Sequence, residues 1–142
     1  MIILDTNVLS ELIKPKGSTI VRNWAFRQSV TSLFTTTITQ AEILYGIAIL
    51  PEGKRKYGLY QATTLMFVED FRGRVLPFDE SAAVAFADIA AQRRVNGTPI
   101  SQADAQIAAI CYSRNATIAT RNVADFTNCG IFIINPWSDK FS

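Results

Sequence analysis

Met1-Ile2-Ile3-Leu4-Asp5-Thr6-Asn7-Val8-Leu9 opens the chain, with large apolar residues running straight into an aspartate. A brief apolar run halted by polar, turn-forming residues predicts a short strand at 2–4 and a helix at 6–13. Proline and glycine then punctuate the chain at Pro15-Lys16-Gly17, Pro51-Glu52-Gly53, Pro77, Gly97 with Pro99, and Asn135-Pro136. The intervals predict a helix at about 18–28, a strand at 33–37 and a strongly apolar helix at 39–50 carrying Ile43, Leu44, Ile47 and Leu50. A longer helix is expected at roughly 54–71, with Leu65, Val68 and Phe71 on one side. A strand at 74–76, helices at 81–95 and 102–114, and strands at 116–119 and 131–134 complete the series. Strands alternating with helices indicate an α/β fold with a mainly parallel central sheet flanked by helices. The strands are short and apolar with little alternation, as expected where helices cover both faces. No linker, repeat or low-complexity segment interrupts residues 1–142, so a single domain is expected.

Composition narrows the chemistry. The 142 residues are 49% apolar and 18% charged, enough to bury a substantial core. No stretch approaches the roughly 20 apolar residues of a membrane helix, and Met1–Leu4 has neither a basic leader nor a cleavage site. A cytoplasmic protein without a membrane partner is the expectation. There is no histidine, and the two cysteines, Cys111 and Cys129, show no CxxC spacing. Zinc sites of the usual Cys/His type, and Ser-His or Cys-His nucleophiles, are thereby removed. Cys111 lies in an apolar helical run and reads as a small core residue. Carboxylates, a metal, Lys or Tyr are left to carry any catalysis. The net charge of +2 identifies no partner. Basic clusters at Lys54-Arg55-Lys56, Arg72 with Arg74, Arg93-Arg94, Arg114 and Arg121 suit phosphate contacts and equally suit solvated helix faces.

Three acids stand out. Asp5 ends the first strand, where ligands of parallel α/β sheets bind, although an Asp before a helix is also a common N-cap. Glu42, in Thr39-Gln40-Ala41-Glu42, and Asp104, in Ser101-Gln102-Ala103-Asp104, both fit the capping-box pattern, which gives each a purely structural reading. Their surroundings favour more. Glu42 opens a helix whose next eight residues are nearly all apolar, which predicts a buried setting. Asp104 shares a helical stripe with Ile107, Ala108 and Cys111. Asp5 and Glu42 both closely follow strands and can share one sheet edge. Buried acids are costly unless paired or metal-bound, and three together repel and raise one another's pKa unless a cation neutralises them. A hard divalent ion, Mg²⁺ with Mn²⁺ as substitute, suits such oxygen donors. It would activate water for attack on a phosphodiester without any histidine.

The motifs resemble the PIN domain in order. Asp5-Thr6-Asn7 after the apolar strand is similar to its start, Thr39-x-x-Glu42 with Gly46 to its second motif, and Ser101-x-Ala103-Asp104 with Ile107-Ala108-Ala109 to its third. Ala119-Thr120-Arg121-Asn122-x-x-Asp125-Phe126 looks like the fourth, and Asn135-Pro136-Trp137 like the usual tail. The resemblance spans nearly the whole chain and is strongest to the VapC/FitB toxins of bacterial toxin–antitoxin pairs. It implies a PIN fold, Mg²⁺-dependent RNA cleavage, a homodimer and a small inhibitory antitoxin, itself a DNA-binding protein that would carry the complex to operator DNA. By position it implies that Asp5, Glu42 and Asp104 hold metal directly or through water, that Thr6 and Thr120 orient carboxylates or water, and that Asn7 lies beside them. Many relatives carry Asp directly after Thr-Arg, where this chain has Asn122. Asp125 then either supplies the missing carboxylate or caps a short turn before Phe126.

Rival readings are weaker. A phosphoaspartyl phosphatase wants a second Asp two residues after the first, where Asn7 stands. A receiver domain wants a central-strand Asp and a late Lys, and neither is convincingly placed. The stronger alternative is a PIN-like protein with weakened catalysis that binds nucleic acid or an antitoxin without cleaving. The apolar 43–50 segment is one candidate for a dimer surface.

Overall fold

In the computed structural model, residues 1–138 are described. Five strands, β1 (Ile2–Leu4), β2 (Leu33–Thr36), β3 (Val75–Leu76), β4 (Thr117–Ala119) and β5 (Ile133–Ile134), form one sheet in the order β3-β2-β1-β4-β5. Every pairing is parallel, with Ile3 opposite Phe34 on one side of β1 and opposite Ile118 on the other. The expected mainly parallel α/β domain is what forms. Strand order reverses between β1 and β4, and in parallel sheets the crevice beyond the strand ends at such a point is where ligands bind. Asp5 follows β1 there, and Thr120 follows β4.

Seven helices cover the sheet: α1 (Thr6–Ile13), α2 (Thr19–Arg27), α3 (Thr37–Ala48), α4 (Lys54–Leu65), α5 (Glu80–Val95), α6 (Gln102–Ser113) and α7 (Val123–Phe126). Consecutive residues of β1 feed opposite cores. Ile3 joins Ile89, Ile107, Ile110 and Phe126 under α5 and α6, while Leu4 joins Val8, Leu9, Trp24, Ile43 and Phe67 under α1 to α4. This two-sided burial is why the strands show no polar alternation. Truncating Ile107, fully buried at the heart of α6, to Ala should cost about 2–5 kcal/mol. Among the described residues no helix is long and apolar enough to cross a membrane.

Most predicted boundaries fall within two residues of the observed ones, and the departures have local causes. The expected strand 33–37 and helix 39–50 meet earlier, because Thr36 caps α3 by accepting a hydrogen bond from the Thr39 amide at 3.1 Å. The expected long helix at 54–71 is α4 followed by a π-helical turn at Met66–Asp70. Its buried side is Thr63, Phe67 and Phe71, whereas Leu65 and Val68 face solvent. The larger aromatic rings take the core positions, and they bury more apolar surface there than Leu65 and Val68 would. A 3₁₀ turn at Val30–Ser32 and the one-turn helix α7 had no periodic signal.

Candidate active site

Asp5 is 4% exposed and uses its two carboxylate oxygens for different purposes. Oδ1 accepts the Thr6 amide at 2.8 Å and so caps α1. Oδ2 accepts the Thr120 hydroxyl at 2.8 Å and the Asn7 side-chain amide at 3.1 Å. The capping role and the site role therefore coexist in one side chain. The Asp5 amide also donates to the Ala119 carbonyl at 3.0 Å, which extends the β1–β4 pairing into the crevice. Burial pushes the Asp5 carboxyl up to about 6; the bonds from Thr120 and Thr6 oppose this, and the charges of Asp104 and Glu42 add to it.

Thr120 and Asn7 join the two ends of the site. The Thr120 hydroxyl donates to Asp5 and accepts from the Asn122 amide at 3.0 Å and the Asn7 side chain at 3.3 Å. Asn7 Oδ1 in turn accepts the Arg121 amide at 3.1 Å. The first and fourth motifs are thus laced together through backbone and side chain.

Glu42 is not a capping residue. With Thr36 as the cap, Glu42 stands more than a turn into α3, and its Oε1 accepts the Thr6 hydroxyl at 2.7 Å. The Thr6 and Thr39 hydroxyls are 3.1 Å apart. Its expected burial is overturned: Glu42 is exposed, because only Thr39, Ile43 and Ile47 of α3 face inward. The apolar run that suggested burial instead leaves Tyr45 and Ile49 in solvent.

Asp104 begins α6, and its amide donates to the Ser101 hydroxyl at 3.2 Å. Half of a capping box is present, but no bond from the Asp104 carboxylate back to the Ser101 amide closes it. The carboxylate is half-buried at the head of the stripe formed by Ile107, Ala108 and Cys111, all fully buried. Burial raises the Asp104 carboxyl; Ser101 opposes this, the charges of Asp125 and Glu42 add to it, and Arg93 lowers it. Asp125 is exposed in α7, and its carboxylate accepts no hydrogen bond, so it is not the cap of its turn. Asn122 precedes α7 and also makes no side-chain capping bond.

The basic clusters divide. Arg93 is 6% exposed and bonded to protein carbonyls, so it is withdrawn from phosphate binding. Sequence reading missed its role because a buried arginine looks like any other Arg in a helical run. Arg74 is likewise engaged with the carbonyls of Val30, Leu33 and Asp70. Lys56 pairs with Glu52, and Arg114 with Asp79. Arg121 remains at the mouth of the site, its guanidinium 4.9 Å from the Trp137 ring centre.

Among the described residues no three acidic or cysteine side chains are gathered tightly enough to cage a metal ion outright. The donors are nonetheless all oxygen, and Asp5, Glu42 and Asp104 lie within electrostatic reach of one another. That set fits a hard divalent cation that keeps part of its water shell better than a fully enclosed ion.

A family model described as PIN domain matches residues 2–128. The chain is 39% identical over 137 residues to VapC ribonuclease Y4jK of Sinorhizobium fredii, covering 96% of this chain and 98% of that protein. It is 36% identical over 139 residues to Toxin FitB of Neisseria gonorrhoeae, covering 98% and 100%. Among solved structures, that of FitAB bound to an IR36 DNA fragment superposes with a TM-score of 0.92 at 35% identity, over 99% of both chains. DNA-bound VapBC from Salmonella typhimurium does so at 0.75 and 28%, over 95% and 97%.

Proposed function

The chain belongs to the PIN domain family, and on that footing we propose that it is a metal-dependent endoribonuclease acting as the toxin of a toxin–antitoxin pair. The observation that carries this reading is the buried Asp5 carboxylate, fixed by Thr120 and Asn7 while it feels the charges of Glu42 and Asp104. Such an arrangement works against folding in the absence of a counter-charge, and it is the state a divalent cation relieves.

In this proposal Asp5, Glu42 and Asp104 hold Mg²⁺, or Mn²⁺ in its place, directly or through water. The bound ion supplies charge for the phosphate and acidifies a water molecule. The chain's own residues supply position. Thr120 and Asn7 fix Asp5 Oδ2, so the lone pairs left on that oxygen have one direction. Thr6 gives its hydroxyl proton to Glu42 Oε1 and leaves Oε2 free for a ligand or a water proton. Helix α6 starts at Asp104 and points its amide dipoles into the crevice, where they favour an anionic phosphate. Arg121, stacked on Trp137, offers the RNA backbone a cation at the rim.

The antitoxin reading has its own support. A groove of about 860 Å³ runs between α1, α3 and α4, lined by Ile13, Leu50 and Leu59 and reaching Thr6 and Glu42. Gly46, one turn beyond Glu42, leaves open space where a Cβ would stand. A peptide with an apolar face fits the groove, and a basic side chain on it would reach the acids. Relatives described as FitAB and VapBC complexes on DNA support a DNA-binding antitoxin. Exposed Tyr45 and Ile49 within the 43–50 segment support a homodimer through α3.

The test is cleavage of single-stranded RNA by the purified chain, with and without Mg²⁺. Cleavage that appears with Mg²⁺, vanishes in chelator and returns with Mn²⁺ is the expected result. RNA that is bound but never cut under any divalent ion favours the weakened, binding-only PIN protein.

A further inference from the structure

Arg93 has no part in the scheme above, yet it is nearly the most buried charged group in the chain. It lies in the last turn of α5, and its guanidinium reaches three segments. Nε donates to the Thr98 carbonyl at 2.6 Å, on the connection that leads to the cap of α6. Nη1 donates to the Asp125 carbonyl at 3.0 Å and the Thr127 carbonyl at 2.8 Å, at the end of α7, and lies 3.5 Å from Cys129 Sγ. No carboxylate pairs with it among the described ion pairs. Burying an arginine on carbonyls alone is costly, so the arrangement calls for a return.

That return lies in α7. Four residues make one helical turn, too short to hold its own shape. The place of Asp125 is therefore set by whatever pins the turn, and the guanidinium fork pins the carbonyl of Asp125 itself. Asn122, at the position after Thr-Arg where relatives carry Asp, uses its backbone amide to orient Thr120 and leaves its side chain without a capping bond.

We propose that Arg93 is a positioning residue that fixes α7 so that Asp125, and not Asn122, stands as the fourth carboxylate beside Asp104. The inference rests on the metal-binding reading of the acid cluster. Arg93 touches neither substrate nor ion; it acts through the backbone of Asp125. The like-charge influence of Asp125 on Asp104, and the opposing influence of Arg93, agree with this placement.

The test measures Mn²⁺ affinity of the metal-stripped full chain by calorimetry or electron paramagnetic resonance, alongside its melting midpoint. Asp125→Asn should weaken Mn²⁺ by about 10-fold or more, the range expected for loss of a supporting group, while Asn122→Ala leaves it unchanged. Arg93→Lys keeps the buried charge but loses the fork that spans both carbonyls. It should weaken Mn²⁺ by a similar factor, and the Arg93→Lys/Asp125→Asn double variant should be no worse than either single one. Arg93→Met should behave in the same way wherever it folds. A fall in melting midpoint for Arg93→Lys with Mn²⁺ affinity intact makes Arg93 a purely structural residue and overturns the proposal. So do additive losses in the double variant, or a larger loss from Asn122→Ala than from Asp125→Asn. A parent chain that binds no Mn²⁺ removes the acid-cluster reading itself and this inference with it, an outcome distinct from the others.

Discussion

The Thr120 hydroxyl and the Asp5 carboxylate meet at 2.8 Å across 115 residues of sequence, both buried, at the ends of adjacent parallel strands. The bond ties the last motif to the first. Thr120→Val keeps the shape and removes the donor, leaving Asp5 more costly to ionise. A loss of about 1–3 kcal/mol in metal-free stability near neutral pH is expected, with a fall in RNA cleavage. Chemical denaturation and a cleavage time course, run on the same preparation, check both; unchanged cleavage would assign the bond to folding alone.

Neutralising the acids should separate activity from stability. Asp5→Asn, Glu42→Gln and Asp104→Asn should each remove most RNA cleavage while the fold survives. For Asp5→Asn the metal-free protein should melt higher than the parent at neutral pH, because a buried repelled charge has gone. Three variants that cut RNA like the parent would show that the site lies elsewhere. Outright unfolding of Asp104→Asn would mark that residue as a structural cap.

The raised Asp5 carboxyl has a definite pH signature. Its folded pKa of about 6 lies above the ordinary value of 3.8, so the folded state holds the proton longer than the unfolded state. Its stabilising contribution is complete below about pH 4 and is lost as pH rises through about 6, a swing of about 3 kcal/mol at most. Metal-free protein should therefore lose melting temperature across that window, Asp5→Asn should flatten this part of the profile, and added Mn²⁺ should reverse the loss at pH 7. A profile for Asp5→Asn that matches the parent contradicts the assignment.

An antitoxin that fills the groove with a basic side chain should compete with the metal. Arginine suits the site better than lysine, since its planar fork makes paired bonds to carboxylate and keeps its charge. Inhibition of cleavage should weaken as Mg²⁺ is raised, and binding of the antitoxin should weaken in Asp104→Asn. Inhibition indifferent to both would place the partner away from the acids, blocking RNA entry instead.

Much of this was legible in the sequence because the signals are local. Ile2-Ile3-Leu4 before Asp5 announced a covered strand, and Pro51-Glu52-Gly53 and Gly97 with Pro99 set helix limits that hold. Asp5, Thr6, Asn7 and Thr120 come together in the structure as the motif resemblance implied. What failed depended on which side of a helix meets the sheet. The burial of Glu42 was misjudged because α3 is apolar nearly all round, so its hydrophobicity does not say which face is inward. The choice of Thr36 over Thr39 as cap turns on backbone angles at the end of β2. The service of Arg93 to α7 joins residues more than 30 positions apart, and no spacing rule reaches that far.

The sheet order also governs when the molecule becomes dangerous during synthesis. β1 is made first, yet one of its two neighbours, β4, is among the last strands to leave the ribosome. Until Thr117–Thr120 has emerged, β1 has an open edge and Asp5 has no hydroxyl to hold it. A stalled or prematurely terminated chain thus carries Asp5, Glu42 and even Asp104 without an assembled centre. Only a finished polypeptide is armed, so a cell making this protein has the whole interval of translation in which to supply whatever restrains it.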